Sequence, residues 1–160
     1  MLSEGTCNSK EFEKFRLKKD DVLITKDSET PDDIGVPSYV EENVENAVCG
    51  YHLAQLSTYE NQILGSFLFR FLQSTFANAY FETCANGVTR FGLGKDSIGS
   101  IMIPLPTITE QKSMTSFLDI HTTKINSLIK KTETQIEKLQ EYRESLISST
   151  VTGKISVMNN

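Results

Sequence analysis

The feature that most restricts the fold of this chain is a long stretch without proline or glycine, which extends from residue 107 to residue 152. Thr107 and Glu110 open this stretch with the S/T-x-x-E spacing of a helical capping box. At 1.5 Å of rise per residue, about 40 residues of helix span roughly 60 Å, which is longer than a small domain needs. The sequence therefore predicts a protruding helix over residues 107–152 and a short tail over residues 153–160.

Apolar residues repeat along this helix at the three-and-four spacing of a coiled coil. Leucine or isoleucine recurs seven or fourteen residues apart between Leu118 and Leu146. Thr132 and Gln135 interrupt the seam at its middle, either as a register device or as tolerated polar residues. Because such a seam needs a covering partner, we predict pairing with a second helix. The predicted helix-pairing interface consists of Leu118, Ile125, Leu128, Thr132, Gln135, Leu139, Tyr142 and Leu146.

The segments before the long helix show both strand and helix patterns. They predict an α+β fold in which a small mixed α/β domain covers residues 1–106. Residues 10–19 suit a short helix or the approach to a strand. A compact run predicts a strand at 22–25, and two more strands are predicted near 37–40 and 49–56. The segment 27–37 is rich in turn-forming residues.

The second half of this domain carries three further patterns. An apolar period near 3.6 predicts one helix from about residue 57 to residue 85, capped by Ser57 or Thr58. Four glycines within residues 86–100 predict an exposed loop with an unusual backbone path. The run IMIPLP predicts a short edge or terminal strand, because Pro104 and Pro106 lack the N–H group that a central strand needs.

Charge and hydropathy restrict the classes of partner. The net charge is −5, and residues 27–60 contain eight acidic side chains and no lysine or arginine. Binding of nucleic acid by overall charge is therefore disfavoured, and any DNA contact is expected to use a local basic patch or a more basic partner. No stretch of eighteen apolar residues and no signal-peptide pattern occurs. We expect a cytoplasmic protein without membrane contact.

No residue pattern indicates a catalytic centre or a metal site. The run GLGKDS at 92–97 lacks the earlier glycine and the hydroxyl residue after lysine that a phosphate loop requires, which makes nucleotide hydrolysis a weak alternative. The acidic pairs at 20–21 and 32–33 lie in turn-like sequence, where carboxylates are solvated or accept backbone N–H groups. Cys7, Cys49 and Cys84 form no CxxC pair, so we expect buried free thiols in a reducing compartment.

Six stretches together resemble the DNA-specificity (S) subunit of type I restriction-modification systems. The series that runs from IPLP to VTGKI is specific, whereas the stretches before it are individually weak. The resemblance is carried by DDVLITKD (20–27), FLFRFLQS (67–74), NGVTRFGL (86–93), IPLPTITEQ (103–111), FLDIHTTKINSLIKK (117–131) and YRESLISSTVTGKI (142–155).

This resemblance implies a non-catalytic subunit that recognises a DNA sequence. Subunits of the family carry two target-recognition domains, each followed by a helix; the two helices pair antiparallel, and each domain reads half of a bipartite site. Modification (M) subunits methylate adenine with S-adenosylmethionine, and restriction (R) subunits use ATP and Mg²⁺, so no cofactor is expected in this chain. The implied partners are double-stranded DNA, M and R subunits, and a second copy of the chain or another S polypeptide.

Three departures from the family pattern define an alternative. The chain has one recognition domain and one helix, which makes it similar to a half-subunit. Its first residues resemble the middle of a recognition domain, so we expect the early strands to be missing. The glycine usual before the aspartate of the first strand is Asp20 here. The alternative is a truncated remnant whose helix mediates oligomerisation without independent DNA reading.

Donor side chains in and near the glycine-rich loop are the predicted DNA contacts. Arg90 is the first candidate for a base or phosphate contact, and Lys26 is the second. The alternative is that Arg90 and Lys95 only neutralise nearby acids. Phosphate contacts would position the domain, and contacts to base edges would give specificity. The predicted DNA-binding residues are Lys26, Asn86, Thr89, Arg90, Lys95 and Ser97.

Overall fold

A computed structural model gives the structure of this protein and describes residues 6–155. The chain divides into a first unit, Met1–Ser116, and a second unit, Phe117–Asn160. The mixture of helices and short strands confirms the predicted α+β class. The elements are α1 (Ser9–Phe15), β1 (Val22–Thr25), β2 (Asp27–Ser28), a 3-10 turn (Pro31–Asp33), β3 (Pro37–Tyr39), β4 (Leu53–Leu56), α2 (Gly65–Leu72), α3 (Thr75–Cys84), β5 (Phe91–Gly92), α4 (Lys95–Gly99) and α5 (Ile108–Val151).

A three-stranded antiparallel sheet lies at the centre of the first unit, with β1 between β3 and β4. Val22 of β1 is opposite Tyr39 on one side and Leu56 on the other. A separate ladder pairs β2 with β5 and places Asp27 opposite Gly92. The three strands predicted in this region are therefore confirmed. The third is shorter than predicted because the chain turns before it, where the Leu53 N–H donates to the Gly50 carbonyl at 3.0 Å.

Strand β1 is buried on both faces, which explains why its apolar run does not alternate with polar residues. Val22 and Ile24 pack into the larger core together with Phe81 of α3. Leu23, on the opposite face, packs into a smaller cluster. The larger core consists of Val22, Ile24, Ile34, Leu68, Leu72, Ala77, Phe81 and Leu93; the smaller one consists of Leu17, Leu23, Val40 and Ala47.

The prediction of one helix over residues 57–85 is wrong in two respects. Helical structure begins only at α2, and neither residue predicted as its cap starts a helix. The Ser57 hydroxyl instead donates to the buried carboxylate of Asp21 at 2.6 Å. The helical part is then divided at Ser74, whose hydroxyl caps α3 by accepting the Ala77 N–H at 3.3 Å. The apolar period continues across this division, so periodicity alone did not reveal it.

The segment from residue 86 to residue 106 also differs from its prediction. IMIPLP forms no strand; Ile101 and Ile103 pack against the larger core without ladder hydrogen bonds, which its two prolines disfavour. The glycine-rich segment contains β5 and α4, which the sequence did not predict. The unusual backbone path is confirmed at Gly87, where φ is +147° and a Cβ atom would lie 1.8 Å from the Arg90 carbonyl oxygen.

Helix α5 confirms both the predicted length and the predicted capping box. Its 44 residues correspond to about 66 Å. At the start, the Thr107 N–H donates to Glu110 Oε2 at 2.8 Å, and the Glu110 N–H donates to Thr107 Oγ1 at 3.3 Å. At the end, Gly153 has a φ of +73° and the Lys154 N–H donates to the Ser149 carbonyl, a glycine-terminated helix end. Within residues 6–155, no helix is long and apolar enough to cross a membrane.

Gln111 ties the first turn of α5 to the loop before α2. Its side chain is fully buried, with 0% of its surface exposed. Oε1 accepts the Leu64 N–H at 2.9 Å, while Nε2 donates to the carbonyls of Gln62 and Pro106, each at 2.9 Å. The Glu-Gln pair of the IPLPTITEQ stretch thus has two distinct tasks, since Glu110 caps the helix and Gln111 anchors it.

Candidate nucleic-acid interface

A basic groove of about 730 Å³ opens on the first unit. Its lining residues lie between positions 14 and 99 and include five lysine or arginine side chains but no aspartate or glutamate. An acidic chain therefore presents a local surface of positive charge, the arrangement expected of a DNA contact that does not depend on overall charge. The basic side chains of the groove are Lys14, Arg16, Lys18, Lys26 and Lys95.

Three of these cations come from a segment that the sequence reasoning missed. Helix α1 ends at Phe15, and the following residues form an isolated β-bridge with the chain near Val48. Backbone alternation then buries Leu17 and leaves Arg16 and Lys18 exposed. The signal was present in the sequence as basic residues at every second position of KFRLK, but it was obscured by the acidic residues nearby.

Two aromatic rings border the groove and hold two of its lysines. Lys14 Nζ lies 5.0 Å from the centre of the Phe15 ring, and Lys26 Nζ lies 5.1 Å from the centre of the Tyr51 ring. At these distances the ring faces attract the ammonium groups. Both rings are themselves exposed, so each presents apolar surface beside a positive charge.

Arg90 lies in a three-residue cluster with Asp27 and His52, which we call the Arg90 cluster. Arg90 Nε donates to Asp27 Oδ1 at 2.5 Å, and Arg90 Nη2 lies 3.2 Å from His52 Nδ1. The same ring nitrogen lies 3.1 Å from Asp27 Oδ2. One nitrogen cannot donate to Asp27 and accept from Arg90 at once, so the tautomer of His52 selects between these two hydrogen bonds.

The ion pair within the Arg90 cluster is stable in its charged form. The hydrogen bond from Arg90 lowers the pKa of Asp27, and the same bond to Asp27 raises the pKa of Arg90. Lys26 and Tyr51, which line the groove, directly precede Asp27 and His52 in the chain. The cluster therefore adjoins the basic groove, and its arginine is already paired with an acid.

The other predicted contacts are divided between the groove and its surroundings. Lys26 and Lys95 both line the groove. Asn86 Nδ2 donates to the Cys84 carbonyl at 2.9 Å. The Ser97 carbonyl accepts the Tyr80 hydroxyl at 2.8 Å, and burial raises the pKa of that phenol. Asn86, Thr89 and Ser97 lie outside the groove lining and stay predictions.

The acidic pair at the start of β1 serves the fold. Asp21 is only 3% exposed, and its carboxylate accepts the Lys18 N–H at 2.9 Å and the Gln55 side-chain amide at 2.7 Å. This confirms, for Asp21, the prediction that a carboxylate of this pair accepts N–H groups. Asp20 has a φ of +71° and accepts the Tyr39 hydroxyl. Because glycine favours that backbone region, the structure explains why a related chain would carry glycine there.

The cysteines differ from the prediction of buried thiols. Cys7 is exposed, while Cys49 and Cys84 are only partly buried. All three are free thiols. Burial raises the pKa of Cys49, which lines the basic groove, so its thiol stays protonated at neutral pH.

The second unit presents the predicted helix seam to solvent. The six apolar residues of the seam are all partly or largely exposed. The exposed fraction is lowest at Leu118, with 38%, and highest at Leu139, with 67%. At the middle of the seam, the Thr132 hydroxyl donates to the Leu128 carbonyl at 3.0 Å within the same helix. Thr132 therefore needs no polar partner on a second helix, and Gln135 is the stronger candidate for fixing a register.

Comparison with known proteins identified a matching family. A family model described as "Type I restriction modification DNA specificity domain" matches residues 6–138. The matched span includes the basic groove, the Arg90 cluster and more than half of α5. No curated protein matches this chain.

Proposed function

Because the chain belongs to the type I restriction-modification DNA specificity domain family, we propose that its first unit reads one half of a bipartite DNA site. The observation that carries this proposal is the basic groove, which has five cationic side chains and no acidic lining residue. Lysine and arginine contacts to phosphate supply a large share of the affinity of protein–DNA complexes, and they release counterions from the duplex. If all five cations contact phosphate, log K is expected to fall with log salt at a slope of about −4.5.

Selection from a random duplex library tests DNA reading. The full chain, alone and with adenine-methylating M subunits, is incubated with the library, and the retained duplexes are sequenced. We expect one enriched short motif in at least one of the two preparations. Retention without any enriched motif in both would refute sequence reading. It would favour the alternative of a remnant that only oligomerises.

We further propose that two copies of α5 pair antiparallel about a two-fold axis between Thr132 and Gln135. The support is the exposed helix seam and the preference of self-association for two-fold symmetry. The seam has two core positions in each heptad. In this register a residue at the first core position faces a residue at the second core position of the partner helix. Leu128 faces Leu139 of the partner copy, and Ile125 faces Tyr142. The polar Thr132 and Gln135 then meet at the centre, so that neither of them faces an apolar residue.

A charge design separates antiparallel from parallel pairing. The double variant Thr132→Glu with Gln135→Lys places opposite charges together in an antiparallel pair and like charges together in a parallel one. The variant Thr132→Lys with Gln135→Lys repels in both. By sedimentation equilibrium at tens of micromolar, we expect the first variant to dimerise and the second to be monomeric. Two monomeric variants beside a dimeric wild type would contradict the antiparallel register.

Catalysis in the assembled complex is proposed to belong to partner subunits. Adenine methylation with S-adenosylmethionine would lie in M subunits, and ATP- and Mg²⁺-dependent chemistry would lie in R subunits. The specificity-domain assignment supports this division. Co-purification of an M subunit with the full chain, and DNA methylation that requires the chain, would be the expected results. Methylation of the selected motif by the M subunit without the chain would contradict the proposal.

A further inference from the structure

We propose that Asp27 positions Arg90 to read a base edge, so that Arg90 contributes to sequence discrimination and not to general attraction for phosphate. This inference rests on the proposed function of the first unit as a DNA reader. It divides the basic residues into two groups with different tasks. The groove cations would hold the duplex, and the paired Arg90 at the border of the groove would test its sequence.

The hydrogen bonds of the Arg90 cluster leave one edge of the guanidinium available. Asp27 takes Nε, and His52 lies against Nη2. Among residues 6–155, no acceptor takes a hydrogen bond from Nη1. The remaining N–H groups on Nη1 and Nη2 form a two-donor end, which has the geometry that pairs with O6 and N7 of guanine. A single flexible cation would not present these two donors in a fixed direction.

The charges around Arg90 disfavour a phosphate partner. Asp27 neutralises the guanidinium directly, and the negative charge of Glu29 also acts on it. A phosphate placed at the free edge would meet the field of both carboxylates. The edge of guanine carries no net charge, so the same carboxylates repel it far less. The groove differs in kind, because its five cations have no acidic neighbour in the lining.

The backbone around Arg90 is fixed at both ends of its turn. Asn86 and Gly92 exchange two backbone hydrogen bonds, at 3.1 and 2.9 Å. Asp27 is held opposite Gly92 in the β2–β5 ladder. Asp27, which accepts the hydrogen bond, and the turn that carries Arg90 therefore belong to one small ladder. This preorganisation lowers the entropy that Arg90 would lose on binding.

The test uses the full chain, with M subunits if the selection requires them, and two duplexes. One duplex carries the selected motif and the other a scrambled motif, and dissociation constants are measured across a salt series. For Arg90→Ala we expect the preference for the selected duplex to fall by about 5- to 150-fold. This is the discrimination between bases that one bidentate contact provides, about 5- to 150-fold. The salt slope should stay unchanged. Arg90→Lys keeps the charge and should show the same loss.

The variant Asp27→Asn tests whether Asp27 positions Arg90. Its readout is the salt slope, which would stay unchanged if Asp27 had only a structural role. Freed from its acid, Arg90 should attract phosphate, so the salt slope should steepen by about 1 while the preference falls. Lys14→Ala is the matched groove control, with a slope shallower by about 1 and an unchanged preference. Thermal unfolding confirms that each variant is folded.

Three results would overturn the inference. Arg90→Ala could behave like Lys14→Ala, which would place Arg90 on phosphate. Folded Asp27→Asn could match the wild type in both slope and preference, which would remove the positioning role. A wild-type chain that binds both duplexes equally would refute the proposed function itself, and the inference with it. The first two results leave the proposed function standing.

Discussion

Replacement of Gln111 by methionine tests whether the start of α5 is anchored by specific hydrogen bonds. Methionine has a similar length and shape but neither donates nor accepts strongly. The substitution removes the three hydrogen bonds to Leu64, Gln62 and Pro106 while it fills much of the same volume. Because the site is fully buried, no water replaces the lost partners.

The expected loss follows from the number of bonds. Each contributes about 1 kcal/mol net, and buried groups left without a partner raise this figure. We therefore expect the free energy of unfolding of the first unit to fall by about 3 kcal/mol. Domains of this size are stabilised by only about 5–15 kcal/mol in total. A single substitution would thus remove a large part of the stability.

The assay is urea unfolding of the full chain, followed by tyrosine fluorescence. Four of the five tyrosines lie in the first unit, so the signal reports mainly on it. Lys112→Met is the matched control, because Lys112 is the exposed neighbour of Gln111, and its effect should stay within about 0.5 kcal/mol. A loss below about 1 kcal/mol for Gln111→Met would refute the proposed anchor.

Three further predictions concern the backbone and pH. Gly35→Ala should destabilise the first unit by about 3 kcal/mol in urea unfolding, because φ is +78° and a Cβ atom would lie 2.3 Å from the buried Phe81 ring. Asp20→Gly should unfold within about 1 kcal/mol of the wild type, whereas Asp20→Val should lose about 2 kcal/mol at the same φ of +71°. Hydrogen bonds from Thr107 lower the pKa of Glu110. Stabilisation by this cap is therefore present above pH 4.5 and lost as the pH falls through the lowered pKa. The free energies of unfolding of the wild type and of Glu110→Gln should therefore become equal in acid.

The controls for these variants separate local geometry from general sensitivity. Gly94→Ala has open space around the added Cβ atom and no positive φ, so its stability should match the wild type within about 0.5 kcal/mol. An equal loss at Gly94 and Gly35 would contradict the explanation by strain and overlap. A constant difference between wild type and Glu110→Gln down to strongly acid pH would contradict the explanation by ionisation.

Sequence reasoning succeeded where one local signal determined the structure. The capping box at Thr107 and the lack of proline and glycine fixed both ends of α5. The apolar run at 22–25 identified the central strand. These features depend on neighbouring residues in the chain, so a single sequence contains them.

It failed where distant residues decide the outcome. The pairing of Asp27 with Arg90 joins residues 63 positions apart. The groove brings Lys14 and Lys95 together across most of the first unit. The sequence predicted Arg90, Lys26 and Lys95 as individual candidates, but it could not show that the first is paired and the others line a groove.

The salt dependence of DNA binding tests most directly whether the basic groove holds the duplex. The full chain is compared with the triple variant Lys14→Ala, Arg16→Ala and Lys18→Ala, under the conditions in which the wild type binds the selected motif. With five phosphate contacts the wild type should show a slope of log K against log salt of about −4.5, and the variant, with two, about −1.8. Equal slopes for two folded proteins would show that the DNA lies elsewhere on the molecule.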